Sequence, residues 1–310
     1  MASVLAALVP VFLIIALGIV LKRGLLPEES HWVALERLTY YVLFPALIVV
    51  NIARADLTGV AVMEVGGALT GSIALMAAVF TVLRRQLCRL FGMLGPAYTS
   101  FFQGSLRWNT YIALAVSGSL AGPAGLAVAA VAIAVLIPLL NIMSVAVLAR
   151  HAGNGIVSAR GLLMQLARNP FIWSCLIGAV INILHLPVPA ILITFCDVLG
   201  RASLALGLLV VGAGLRLGDL RRPRPESLAA AALKLLVLPA IAVAIGLALG
   251  LNGVDLLIVA VASSVPSAPN GYVLARQMGG DAPLLAEMLT LQTLFAAITM
   301  PAVIAVVTHL

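Results

Sequence analysis

Two stretches of this chain set polar chemistry inside apolar surroundings. One is Arg107-Trp108-Asn109-Thr110-Tyr111; the other is Pro266-Ser267-Ala268-Pro269-Asn270-Gly271-Tyr272. Both contain Asn-x-Tyr, at Asn109/Tyr111 and at Asn270/Tyr272. Each interrupts an apolar segment long enough to cross a membrane. An unpaired backbone group in lipid costs several kcal/mol, so a broken helix survives only where protein buries it or a wet cavity lies against it. Two such breaks in matching positions of two halves point to the binding site of a secondary transporter.

Around the first break, Gln103, Arg107, Asn109 and Tyr111 are candidate substrate contacts. A charge at the bilayer centre costs about 2.5–3.5 kcal/mol on insertion scales and marks a functional site by default. A guanidinium stays protonated and can grip a carboxylate through two hydrogen bonds. The half-helix that restarts after the break adds free N–H groups and a positive dipole end. Together these favour an anion. The alternative is that Arg107 caps the carbonyls freed by the break or pairs with a buried acid. In the second break, Pro266 and Pro269 each remove a donor and Gly271 loosens the chain. Pro266, Ser267, Asn270 and Tyr272 are the candidates there, with Ser263 and Ser264 nearby as further neutral groups. A proline-kinked packing helix would explain this stretch but not its counterpart. Neither break holds an acid, which argues against a cation as the main substrate, although backbone carbonyls alone could hold sodium.

Coupling or gating could fall to Glu64, Asp197, Arg201, Asp255 or Glu287. Asp197 and Arg201, at i and i+4, can neutralise one another or act as a gate. Glu64, Asp255 and Glu287 read as interfacial groups, any of which could carry a coupling proton. Lys234 lies near a basic loop and reads as a snorkelling side chain. Asn51, Asn141 and Gln292 read as bonds between helices. The three cysteines, Cys88, Cys175 and Cys196, have no metal spacing and read as small buried hydrophobes. No metal or other cofactor is implied beyond a possible coupling H+ or Na+.

The elements that must position these residues follow from composition. The 310 residues are 63% hydrophobic and 9% charged, with a mean hydropathy of +1.18. A soluble domain carries roughly 25% charged residues, so the chain reads as an all-α integral membrane protein. Ten candidate spans are legible, at 2–21, 32–53, 60–83, 96–119, 124–149, 169–186, 190–215, 227–250, 254–277 and 282–308. The net charge of +7 does not imply nucleic acid, because 14 of the 18 basic residues fall in alternate short loops. The positive-inside rule makes those loops cytoplasmic and leaves both termini on the outer face of the cell inner (plasma) membrane. The first span has no basic residues ahead of it and Lys22-Arg23 behind it, the reverse of a cleaved signal. Pro10, Gly18 and Pro27 recur as Pro170, Gly178 and Pro187. With the Asn-x-Tyr pair, that divides the chain into repeats at 1–154 and 155–310. Five spans per repeat is odd, so the second repeat is inverted relative to the first.

Several runs resemble the auxin efflux carrier family of bacterial permeases, relatives of the plant PIN-formed auxin transporters. They are Pro10 to Gly18 leading to Lys22-Arg23-Gly24-Leu25-Leu26, Tyr40 to Pro45, Asn169-Pro170, Leu209 to Leu215, and Pro266 to Arg276 followed by Gly279-Gly280-Asp281. The resemblance covers essentially the whole chain. It implies that helices 4 and 9 are broken and cross at mid-membrane. It further implies that helices 1, 2, 6 and 7 form a scaffold that dimerises, while helices 3–5 and 8–10 move as an elevator. The implied substrates are organic anions such as malonate, malate or auxin-like acids. Asn270 and Tyr272 match the family's helix 9 motif, and Asn109 its helix 4 asparagine. Many relatives have a proline and a Gly-Asn-x-Gly-Phe-like run in helix 4; this chain has Arg107 to Tyr111 instead, and the extra arginine favours a small carboxylate.

The expected function is therefore secondary transport of small organic anions, with the lipid bilayer and a second copy of the chain as partners. The alternative within transport is a sodium- or proton-coupled symporter or antiporter of another solute. An intramembrane enzyme is disfavoured: no histidine sits mid-span to serve a serine nucleophile, and Asp197 is the one deep aspartate. A sensor or channel is disfavoured because no soluble domain or pore-lining ring is visible.

Overall fold

The computed structural model describes residues 2–54, 61–152, 164 and 170–310. Arg160, Arg168, Asn169 and the boundary expected between 154 and 155 lie outside the described residues. Within them the chain is helical and has no strand. In order the helices are α1 (Ala2–Arg23), α2 (Glu29–Leu38), α3 (Phe44–Arg54), α4 (Val62–Val82), α5 (Arg84–Phe91), α6 (Gly95–Leu106) and α7 (Thr110–His151). They continue as α8 (Pro170–Ile183), α9 (Ala190–Ala213), α10 (Pro225–Ala232), α11 (Leu238–Ala248), α12 (Gly253–Ser264), α13 (Asn270–Met278) and α14 (Ala282–Val307). Taken as continuous runs, seven are long and apolar enough to cross a membrane, and α8 and α12 are shorter apolar helices. Large apolar side chains such as Leu13, Ile191, Val198 and Ile298 are more than 60% exposed. An apolar exterior of this kind suits lipid rather than water. The protein is a multi-pass membrane protein.

Proline and glycine set where these helices bend. Pro45 and Pro239 have no N–H to return to the preceding turn. Each follows a five-residue π-turn, Thr39–Leu43 before α3 and Leu233–Val237 before α11, closed by Phe44 N–H on Thr39 O and by Leu238 N–H on Leu233 O. These wide turns swing Tyr40 and Lys234 off the regular helical register. At Gly122 (φ 56°, ψ −140°) the long α7 reverses. Residues eight apart in a straight helix lie about 12 Å apart along the axis. Here a Cβ on Gly125 would collide with the Ser117 carbonyl, and one on Gly118 would lie 3.3 Å from Leu126. The turn at Gly122 therefore folds Thr110–His151 into two helices side by side.

The glycines paired by spacing in the sequence each admit a neighbouring helix. A Cβ on Gly18 of α1 would strike the Leu209 carbonyl of α9, and one on Gly212 of α9 would strike the Ile15 carbonyl of α1. Gly178 of α8 does the same for α3, where a Cβ would come within 2.8 Å of Ile52 Cβ. Small residues at helix crossings are how membrane helices gain van der Waals contact, because lipid supplies little hydrophobic drive between them. Cys175 is buried, whereas Cys88 and Cys196 are half-buried at the margin, so only one of the three cysteines fits the expectation of burial. Gly18→Val should force α1 and α9 apart at a cost of roughly 1–3 kcal/mol. The measurement is the melting temperature in detergent, expected to fall clearly below that of Gly24→Ala, whose added Cβ meets no other helix.

Candidate substrate site

The two breaks share a geometry but not a cause. α6 ends at Leu106 and the chain leaves through Arg107 (φ −63°, ψ 155°); α12 ends at Ser264 and leaves through Val265 (φ −66°, ψ 150°). At Val265 the following Pro266 disfavours helical geometry sterically. No proline acts at Arg107. There the chain restarts because the Asn109 Oδ1 accepts from Tyr111 N–H at 3.1 Å and Ile112 N–H at 3.2 Å, capping α7. The helix expected to break across Arg107–Tyr111 is interrupted at 107–109 alone.

The freed backbone groups find partners across the two breaks. Gln292 of α14 donates from Nε2 to Gly104 O at 2.9 Å and accepts on Oε1 from Ser267 N–H at 2.9 Å. The Ser267 hydroxyl lies 2.6 Å from both Gly104 O and Gln292 Oε1, and its single proton serves one of them. Gly104, Ser267 and Gln292 are all buried. A Cβ on Gly104 would come within 2.5 Å of Met288 Sδ on α14, so the glycine lets that thioether pack directly against α6. At the second break, Lys234 donates from Nζ to Ser263 O at 3.0 Å.

Arg107 is 5% exposed and is held by neutral acceptors. Its Nη1 donates to Ser144 Oγ at 3.1 Å and Gln103 Oε1 at 3.4 Å, and its Nη2 to Asn141 Oδ1 at 3.0 Å. No carboxylate pairs with it among the described residues. Its aliphatic stem runs over the second break, where a Cβ on Gly271 would lie 3.1 Å from Arg107 Cδ. Beside the guanidinium is a cavity of about 30 Å³ walled by Tyr40, Trp108, Asn141, Phe171 and Asn270 among others. That is room for about two waters. Three buried N–H donors near this break have no acceptor among the described residues, Gln103 Nε2, Trp108 Nε1 and Asn109 Nδ2, and the Ser105 hydroxyl, which can donate or accept, is likewise without a partner. The amides cannot be reversed to relieve this, because Gln103 Oε1 and Asn109 Oδ1 are each already accepting. The break thus has more donors than acceptors and an unneutralised positive charge.

Of the residues singled out in the sequence, Arg107 and Asn270 border the cavity, while Gln103, Asn109, Pro266 and Ser267 build the frame behind it. Tyr111 stacks face to face on Phe44 with centroids 4.6 Å apart, and Tyr272 lies under Arg216, whose Nη2 donates to its hydroxyl at 3.2 Å. Neither tyrosine lines the cavity. Sequence reasoning passed over Tyr40, Trp108 and Phe171 as walls and Ser144 as a partner of Arg107. The signal for Tyr40 was Pro45 five residues on, which forces the π-turn that carries it.

Other polar residues fall into place or need correction. Asp197 and Arg201 do pair, at 2.9 Å on an open face. Asp255 accepts from Ala61 N–H at 3.0 Å at the start of α4, and Glu64 is half-buried in that helix's first turn. Glu287 is buried, accepts from Arg224 N–H at 2.7 Å and pairs with Arg224 Nε at 3.4 Å. Arg224 also holds Asp281 at 3.1 Å, so one guanidinium neutralises two acids. Lys234 does not snorkel, because the π-turn aims it inward and it is 1% exposed. Asn51 bonds Leu47 O in its own helix rather than another helix. Replacing Gln292 by Leu should leave Ser267 N–H without its acceptor in a dry interior. The expected loss is about 1–3 kcal/mol, read as a lower melting temperature, with Gln292→Glu intermediate because it keeps the acceptor.

Comparison with known proteins adds a lineage to this geometry. Residues 155–304 match the membrane transport protein family. The chain is also 26% identical over 299 residues to an uncharacterized transporter of Methanothermobacter thermautotrophicus, covering 94% of each chain. One match over the second half and one over nearly the whole length agree with the sequence motifs: they indicate a membrane transporter and support an auxin efflux carrier-type permease.

Proposed function

We propose that the protein is a secondary active transporter of small organic anions, and that the substrate carboxylate is gripped by Arg107 at the junction of the two broken helices. The observation that carries this reading is a buried guanidinium with no carboxylate partner among the described residues, next to three donors without acceptors. Burying a lone charge is costly unless it is paired, and a bound anion supplies the missing partner. One arginine offers one bidentate seat. The remaining walls, Tyr40, Trp108 and Phe171, are aromatic. Malonate and malate remain in range, but this lining best suits a single carboxylate with a flat or apolar body, as in an auxin-like acid.

The transport cycle proposed on this basis has ten spans in two inverted repeats. The halves are 1–154 and 155–310, with both termini on the non-cytoplasmic side of the inner (plasma) membrane. Helices 1, 2, 6 and 7 would serve as a dimerising scaffold, and helices 3–5 and 8–10 as an elevator. The close seams of α1 with α9 and of α3 with α8 suit a scaffold. The small cavity must widen to admit a solute larger than two waters.

A thermal-shift series tests the anion site. The purified protein in detergent is titrated with mono- and dicarboxylates, sugars and amines. A carboxylate at a hundredfold excess over its Kd should add about 2.7 kcal/mol of stability. That gain should vanish in Arg107→Ala, whose fold is checked by circular dichroism. Stabilisation by amines or sugars with none by carboxylates would sink the anion reading.

A further inference from the structure

Lys234 is a second buried cation at the junction, and the anion reading gives it no task. Its side chain is 1% exposed. The π-turn Leu233–Val237, set by Pro239, aims it at the end of α12, where its Nζ reaches Ser263 O at 3.0 Å. The turn packs against α6, α10, α11, α12 and α14. Glu226, Asp255 and Glu287, acids of those elements, make no ion pair with it among the described residues. Asp255, at the far end of α12, accepts from Ala61 N–H, and Glu287 of α14 is neutralised by Arg224. Arg107, which ends α6, is bonded to Gln103, Asn141 and Ser144. Among the described residues no carboxylate pairs with Lys234.

What the ammonium meets is the carbonyl end of a half-helix. That end carries about half a negative charge and unpaired carbonyls. In transporters built on broken helices, half-helix carbonyl ends and unwound carbonyls are where coupling sodium is coordinated. The corresponding end of α6 is closed differently, by the neutral donors of Ser267 and Gln292 on Gly104 O. One carbonyl at each end is thus taken by a donor of the protein, and the end of α12 already holds a charge of the same sign as a metal ion.

We propose that Lys234 is a built-in cation occupying the place of a coupling sodium ion, so that binding at this junction is independent of sodium. The tethered ammonium neutralises the end of α12 and travels with it. The inference rests on the transporter reading but not on the identity of the substrate. A variant lacking the ammonium leaves a monovalent-cation site lined by backbone carbonyl.

The test is cation-dependent stability without substrate, so an incorrect substrate class leaves the result readable. The wild-type protein is melted in sodium, potassium and choline chloride at constant ionic strength, together with Lys234→Ala, Lys234→Met and Lys234→Arg. Wild type and Lys234→Arg should show no sodium-specific shift. Lys234→Ala should melt lower and recover part of the loss, saturably, with sodium or methylammonium but not with choline. A saturable sodium-specific rise in the wild type would overturn the proposal, even if the alanine variant cannot be purified. So would a Lys234→Met protein as stable as wild type, or a folded Lys234→Ala protein indifferent to every cation.

Discussion

Backbone hydrogen bonds left open by a broken helix are the constraint on which the centre of this protein depends. Water is scarce at that depth, so carbonyls and amides freed at Arg107–Asn109 and Val265–Pro269 must be answered by protein. The answers come from distant parts of the chain. Gln292 of α14 bonds both breaks at once, and Ser267 of one break reaches Gly104 of the other. Asn109 answers locally, by capping α7 with its own side chain. These bonds make the two interruptions one unit, in which a shift of one break is felt by the other. Close approach is possible because Gly104 and Gly271 have no Cβ to hold α14 and the Arg107 stem away.

Charge follows a different rule on each side of the molecule. Around Arg224 the acids Asp281 and Glu287 are fully used, which ties the start of α10 to α14. At the junction the two cations meet only neutral oxygens. Arg107 is spread over three side-chain acceptors, and Lys234 rests on one carbonyl. A charge-assisted bond to a neutral oxygen is stronger than a neutral one, yet it leaves the positive field uncancelled. An interior with two positive charges and no facing acid among the described residues attracts anions and repels free cations. The same field that would draw a carboxylate to Arg107 would raise the cost of a sodium ion nearby.

The helices around this centre are arranged by size. Glycines at the α1–α9 and α3–α8 crossings bring backbones together, and large apolar side chains face outward. Proline acts at longer range. Pro45 and Pro239 widen the turns before them, and those turns deliver Tyr40 to the cavity and Lys234 to the break. Each of these two π-turns therefore carries a side chain that borders the cavity or closes a backbone gap.

The membrane class, the two breaks and the arginine within one of them were legible in the linear chain. Hydropathy is a local property, and so are Pro266, Pro269 and the Asn-x-Tyr spacing. A charged residue in an apolar run stands out wherever it points. Direction and partnership were not legible. Lys234 read as a snorkelling side chain, yet a π-turn turns it inward, and the pairing of Glu287 with Arg224, far away in sequence, had no local signal. Tyr111 and Tyr272 read as a matched pair of contacts, but Phe44 and Arg216 claim their rings. Ser144 has unremarkable local sequence, and the prolines near Tyr40 and Phe171 do not say where those rings point. Residue type and hydropathy determine which segments enter the bilayer, because transfer energies sum along the chain. Which polar atoms meet is decided by helix rotation and crossing, which depend on contacts between residues more than a hundred positions apart.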